Sequence, residues 1–113
     1  LTRWLKPGGY LLLGHGFWSG APPRPWLEAS GIPEDTFTDW PGLLGQAQSS
    51  GLTLVRATPC TTADWDHFEG TLRTNLLASP PDTPGRDARL RFVDAQLRWG
   101  RDCLGLGLVL LQR

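Results

Sequence analysis

Two stretches of the chain are apolar without alternation: Tyr10-Leu11-Leu12-Leu13-Gly14, and Leu104 to Leu111 with glycines at 105 and 107. A strand with one face in water alternates apolar and polar residues, so an unbroken short run points to a strand buried on both faces, as in a helix-covered parallel sheet. A third run, Leu52 to Thr58, alternates and is rich in β-forming residues. Between the first run and this one stand the marks of a helix: Thr38 or Asp39 as cap, Pro41 in the first turn, Leu43, Leu44 and Ala47 as the apolar side, and Gly51 as the stop. Strand, helix and strand in that order form a βαβ unit, whose crossover is right-handed in nearly all sheets. The expected class is α/β, with strands over 10–14, 52–58 and 104–111 and a helix over 39–50.

The remaining segments are read by their punctuation. Leu1 and Leu5 share one helical face, and Pro7-Gly8-Gly9 stops that helix, predicted over 1–6. Residues 15–38 lack periodicity, and Pro22-Pro23, Pro25, Gly31 and Pro33 argue for a loop or lid. That loop carries Trp18, Trp26 and Phe37, with Trp40 close by, more aromatic surface than a solvated linker exposes, so it is expected to pack on something. Thr61-Thr62-Ala63-Asp64 resembles a capping box ahead of a helix with Trp65, Phe68, Leu72 and Leu76 on one side. After Pro80, Pro81 and Pro84, a second helix to Arg101 has Leu90, Val93 and Leu97 as its stripe, with Arg86, Arg89, Asp94, Arg98 and Asp102 toward solvent. Together these make a helical insertion over 62–101.

Bulk properties exclude more than they assign. Eleven acids balance eleven bases, so no net field draws the 113-residue chain to nucleic acid or an anionic membrane. Neither apolar run approaches the roughly 20 residues of a membrane span, and no signal for export is present, which leaves the cytoplasm as the default. Cys60 and Cys103 lack CxxC spacing and support neither a disulfide framework nor a metal site. Ten of the eleven bases are arginine, and those between Arg86 and Arg101 are interleaved with Asp87 and Asp94, a solvated face.

Leu5-Lys6-Pro7-Gly8-Gly9-Tyr10-Leu11-Leu12-Leu13-Gly14 resembles the LKPGG turn and fifth strand of the class I, Rossmann-like methyltransferases that use S-adenosylmethionine. The resemblance extends through the chain in element order, although only these first residues match a motif. It implies that the three strands are the fifth, sixth and seventh of a seven-stranded sheet, with the seventh inserted antiparallel between the other two. The helices over 62–101 depart from the short hairpin that joins the last two strands in many members; such additions often shape the substrate pocket. It further implies that this is the C-terminal portion of a methyltransferase domain acting on a small or medium acceptor. The glycine-rich cofactor loop and its acidic ribose partner have no match here. Gly14-His15-Gly16 follows a strand but precedes prolines instead of a helix start, so it is a poor nucleotide loop. The cofactor-binding half is therefore expected upstream, and the chain alone is expected to bind S-adenosylmethionine weakly, to be inactive and to self-associate through its open strand edge. The chain opens without methionine, in what reads as a helix already under way.

In open α/β sheets, ligands gather outside the carboxyl ends of the strands. His15, Phe17 and Trp18 leave the first strand at that edge, and Trp65 follows the second. His15 offers a polar handle or base near neutrality, or a ring bonded only to its own loop; the tryptophans offer pocket walls, or plain packing. His67 with Asp64 or Asp66 is a weaker pairing. No catalytic residue or metal ligand is assigned, because methyl transfer depends mainly on proximity and alignment. The alternatives are a non-catalytic binding module that uses the aromatic loop, and a fragment of another nucleotide-binding Rossmann-like enzyme.

Overall fold

A computed structural model describes residues 2–113, so Leu1, where the first helix was expected to begin, lies outside the described residues. The chain divides into two compact units. One comprises the residues up to Ser19, Phe37–Cys60 and Leu104–Arg113, and the other Gly20–Thr36 and Thr61–Cys103.

The first unit is a sheet of β1 (Tyr10–Trp18), β2 (Thr53–Pro59) and β3 (Leu104–Gln112), with α2 (Trp40–Gln48) against it. Strand order is β1-β3-β2, and β3 is antiparallel to both neighbours. β1 and β2 are therefore parallel to each other, with the last strand inserted between them as the resemblance implied. The entry to β1 is a type II turn: Pro7 holds the second position, Gly8 takes φ 76° at the third, and the Gly9 N–H donates to the Lys6 carbonyl at 2.8 Å. Gly8 and Gly9 also bond the backbone of Arg113, closing the β1–β3 ladder at this end. Because proline and the turn take over so soon, the helix expected over 1–6 reduces to a single 3₁₀ turn, Thr2–Trp4.

Side chains alternate along β1 and β3. Phe17, Val109 and Leu111 join Leu43 and Leu52 in the core, with Leu11, Leu13, Trp40 and Ala47 packed around them. Toward the Tyr10 end the other face is open among the described residues, with Tyr10 58%, Leu12 66% and Leu108 41% exposed. β1 is thus covered on one side by α2 and not on both, as its unbroken apolar run suggested. It also runs to Trp18 instead of stopping at Gly14, since every residue from Tyr10 on finds a partner on β3. Two glycines on β3 make room for aromatic rings: Phe17 lies over Gly105, its cross-strand partner, and a Cβ on Gly107 would stand 2.8 Å from Trp40. α2 starts on Asp39, whose carboxylate accepts from the Gly42 N–H at 2.9 Å.

The second unit is helical: α1 (Arg24–Ser30), α3 (Thr62–Ala78) and α4 (Arg86–Arg98), with α4 packed on both others. Part of the expected lid is therefore regular structure. Pro25 in the first turn and Gly31 at φ 70° bound α1, whose Trp26 is fully buried. α3 begins on a complete capping box, Thr61 Oγ1 accepting from the Asp64 N–H and Asp64 Oδ2 from the Thr61 N–H. α3 and α4 are tied by a bidentate pair between Arg101, just past α4, and Asp66 (2.9 and 3.1 Å) and by the Arg73–Asp94 pair. Arg86, expected in solvent, instead donates from Nε to the Leu76 carbonyl at 2.9 Å, satisfying the end of α3 with a cation.

The inward stripe of α3 is the half-buried Trp65, Leu72 and Leu76 with the buried Glu69, not the expected Phe68, which is 58% exposed. Glu69 (4% exposed) and Gln96 of α4 (1%) lie between the two ion pairs in the α3–α4 register. Glu69 Oε2, both amide atoms of Gln96 and the Trp65 indole N–H have no hydrogen-bond partner among the described residues. Burial pushes the Glu69 carboxyl above its ordinary value of 4.5. The neighbouring Arg73 and Arg101 are already held by Asp94 and Asp66.

Two outcomes are expected from this packing. Gly107→Ala would push the new methyl into Trp40 and Leu43, lowering unfolding free energy by about 1–3 kcal/mol in urea titrations. For Glu69 the raised folded-state value makes its proton stabilising, so stability is highest below pH 4.5 for this group and declines as pH rises through the shifted value. Glu69→Gln should abolish that component and gain about 1–2 kcal/mol at pH 8. Parallel pH dependences of wild type and variant would contradict the assignment.

Candidate functional site

The sheet rule directs attention to the carboxyl end of β1. His15, Gly16, Phe17 and Trp18 are inside the strand there, not on a loop leaving it. Their period of two sends them to opposite faces. Phe17, 6% exposed, goes to the core and meets the Trp40 ring at 5.0 Å between centroids. This corrects its expected place on the acceptor side: the Gly105 slot and Trp40 bury it, and it holds the strand in position. Gly16 and Trp18 share the other face.

Phe37 occupies that face with them. A Cβ on Gly16 would stand 2.8 Å from Phe37 Cε1, so the ring lies directly on the glycine. Trp18 meets Phe37 edge to face, centroids 5.3 Å apart at 81°, and His15 approaches it at 6.0 Å and 88°. Backbone bonding secures the arrangement: the Trp18 N–H donates to the Thr38 carbonyl at 2.7 Å, and Trp18 and Asp39 form a parallel bridge. His15 is exposed, and its Nδ1–H donates to the Gly16 carbonyl at 2.8 Å, which leaves Nε2 as acceptor in the neutral ring. Of the expected residues only Trp18 shares the Gly16 face; His15 lies by parity on the Phe17 face, beside Leu13 and Leu43, and the ring that both approach is the unassigned Phe37. Its signal was available only as a glycine inside a strand, a mark of close approach by another group.

Trp65 belongs to the helical unit. Its ring is edge-on to Phe68 at 6.1 Å, and its indole nitrogen is buried without a partner among the described residues. The His67 pairing does not form: Asp66 is taken by Arg101, and Asp64 by the Thr61 cap. The Thr61 backbone and side-chain bonds, more than the charge on His67, hold the Asp64 carboxyl below its ordinary value. Cys103 is buried, with its thiol pushed up first by burial and then by Asp102, and both cysteines are free. No group of three or more metal-ligating side chains occurs among the described residues.

A cleft of about 670 Å³ in the helical unit, lined by Arg91, Asp94, Leu97, Arg98 and Trp99, contains none of the expected site residues. Asp94 there is paired with Arg73, and Arg98 stacks on Trp99 at 5.4 Å. A gap of about 180 Å³ beside His15, Leu13 and Leu43 is below the usual ligand range of about 300–1,000 Å³. A nucleotide loop requires a strand, a glycine turn and then a helix N-terminus. Gly14-His15-Gly16 is continuous strand with a ring on Gly16, so these residues do not fit the adenosine cofactor implied by the family resemblance. No helix among the described residues is long and apolar enough to cross a membrane.

No protein-family model matches the chain. It is 30% identical over 120 residues to the uncharacterized protein YjhP of Escherichia coli (strain K12), a match covering 98% of this chain and 48% of YjhP. The X-ray structure of YjhP superposes with a TM-score of 0.75 at 29% identity, covering 100% of this chain and 53% of that one. A SAM-dependent methyltransferase from Geobacter sulfurreducens, in complex with S-adenosyl-L-homocysteine, superposes at 0.74 with 25% identity over 99% of this chain and 49% of its own. A second such complex, from Thiobacillus denitrificans, shares the fold at 0.73 with 24% identity and the same coverage. The chain spans about half the length of the proteins it matches. Its mixed α/β fold, with β3 antiparallel between β1 and β2, is that of the C-terminal part of the SAM-dependent methyltransferases.

Proposed function

We propose that the protein carrying this chain transfers a methyl group from S-adenosylmethionine to a small or medium-sized acceptor, and that these residues form the acceptor side of the site. One observation carries the reading: the β1-β3-β2 order with its antiparallel middle strand, matched at a TM-score of 0.74 by a methyltransferase in complex with S-adenosyl-L-homocysteine. In this reading β1, β2 and β3 are the fifth, sixth and seventh strands of a seven-stranded sheet. The cofactor contacts belong to residues outside the chain, since its own glycines do not form a nucleotide loop.

Within the chain the roles divide by strand face. Trp18 and Phe37 present ring surface on one face at the carboxyl end of β1 and bind the acceptor, while His15 offers one imidazole nitrogen on the other face. Phe17 positions them from below by anchoring β1 over Gly105. None of these side chains needs to exchange a proton, because alignment of the acceptor supplies most of the acceleration in such transfers.

Titration of the full-length protein with S-adenosyl-L-homocysteine by calorimetry tests the reading. Saturable one-to-one binding is the expected result, and Trp18→Leu should leave it within about twofold while lowering methyl transfer at least tenfold, a loss of about 1.4 kcal/mol. Absence of binding in the full-length protein would remove the methyltransferase reading and leave a non-catalytic binding module.

A further inference from the structure

The face of the sheet opposite α2 is built from rows that cross all three strands. Leu12 pairs with Leu110 and Leu110 with Arg56; in the next row Gly14 pairs with Leu108 and Leu108 with Thr58. Leu12, Arg56, Thr58, Leu108 and Leu110 line a hollow of about 290 Å³ there. Phe37 closes this face at Gly16, and the stretch from Tyr10 to Gly14, roughly 14 Å along the strand, is open among the described residues. Two strand spacings, roughly 10 Å, separate Leu12 from Arg56, the width of one α-helix with its side chains.

The leucines of this face belong to the two apolar runs that lack alternation, a composition suited to cover on both sides. A contiguous exposed patch of that kind marks a docking surface. Arg56 stands at its margin, exposed, and makes no hydrogen bond or ion pair among the described residues. The sheet unit's one acid, Asp39, is bridged to Trp18, six residues or roughly 20 Å along β1 from the row of Arg56. An element laid over the leucines takes water from the guanidinium as well, and a desolvated cation needs a paired acid.

Charge and length select the occupant. The sheet unit carries Arg3, Lys6, Arg56 and Arg113 against Asp39 alone. In an isologous pair of copies this face would meet itself, setting Arg56 against a second unit of its own sign. The proteins that this chain matches are about twice its length within one polypeptide.

We infer that the Leu12–Leu110–Arg56 face is covered by a helix of the same polypeptide, from the half outside this chain, and that this helix brings a carboxylate to Arg56. Placing the occupant there rests on reading the chain as half of a methyltransferase domain; the need for an acid rests on the face alone. Leu12, Leu108 and Leu110 supply the contact area, and Arg56 fixes how the helix lies on it.

The test uses the full-length protein. A thiol introduced by Leu12→Cys or, separately, by Leu108→Cys should react with a water-soluble maleimide at least about 100-fold more slowly than one introduced by Gln48→Cys, at an exposed position of α2. Wild type, with its free Cys60 and Cys103, supplies the background. Phenylglyoxal on the wild type needs no variant to fold: it should modify Arg56 at least about tenfold more slowly than the exposed Arg89. In Arg56→Lys, a zero-length carbodiimide should join the new amine to an Asp or Glu of a peptide outside these 113 residues, at every protein concentration. Arg56→Glu, combined with Leu12→Cys, should speed the maleimide reaction at least about tenfold. Thiols at 12 and 108 as reactive as the one at 48, with Arg56 as reactive as Arg89, would overturn the inference. So would protection that is lost on dilution together with a cross-link between two copies, or carbodiimide coupling of Arg56→Lys to this chain alone or to nothing. S-Adenosyl-L-homocysteine binding with an unprotected face would defeat this proposal alone, and a protected face without that binding would defeat the methyl-transfer reading alone.

Discussion

Every ladder of the sheet passes through β3. It arrives last in the chain, runs against both neighbours, and must present one face to α2 while accepting aromatic side chains from β1 and α2. Residues 105 and 107 are glycine for that reason. Phe17 covers the first and Trp40 the second, as cross-strand and helix-borne rings that fill the space a side chain would take. This packing fixes the height of α2 above the sheet and, through Phe17, the position of the carboxyl end of β1. Trp18 follows Phe17 directly in the strand, so the corner it makes with Phe37 inherits its placement from a glycine 87 residues further on.

The elements that could be read from the sequence are those whose causes are local. Pro7-Gly8-Gly9 contains its own turn, needing one positive φ and one i to i+3 bond. Asp39 and Thr61-Asp64 contain their own caps. The extent of β1 was not local. Gly14-His15-Gly16 has weak strand preference, and it is extended because nine consecutive pairs on β3 make it so. The same holds for α1, seven residues among prolines, whose stability comes from burying Trp26 and not from any helical pattern. In α3, Phe68 looked like the inward residue because it is apolar. The geometry of a stripe through Trp65, Leu72 and Leu76 places Glu69 there instead, and the two arginines that would have compensated it are held by aspartates on either side.

The candidate site shows the same division. A rule about where ligands sit in α/β sheets singles out His15 and Trp18; it does not single out Phe37, whose place depends on Gly16, which lies 21 residues earlier and offers nothing but a missing side chain. Phe17 could have been separated from Trp18 by parity alone. Adjacent residues of a strand face opposite ways, so both cannot line one pocket. Once Phe17 is committed to the core by Gly105, Trp18 must face the other side, and a one-residue slip of β1 against β3 would exchange the two. The slip is opposed at both ends of the strand, by the Arg113 bonds to Gly8 and Gly9 and by the Trp18 bond to Thr38. The architectural turn at the amino end and the aromatic corner at the carboxyl end are thus two ends of one register, and the turn motif, remote from any ligand, contributes to the site by keeping Trp18 on its face.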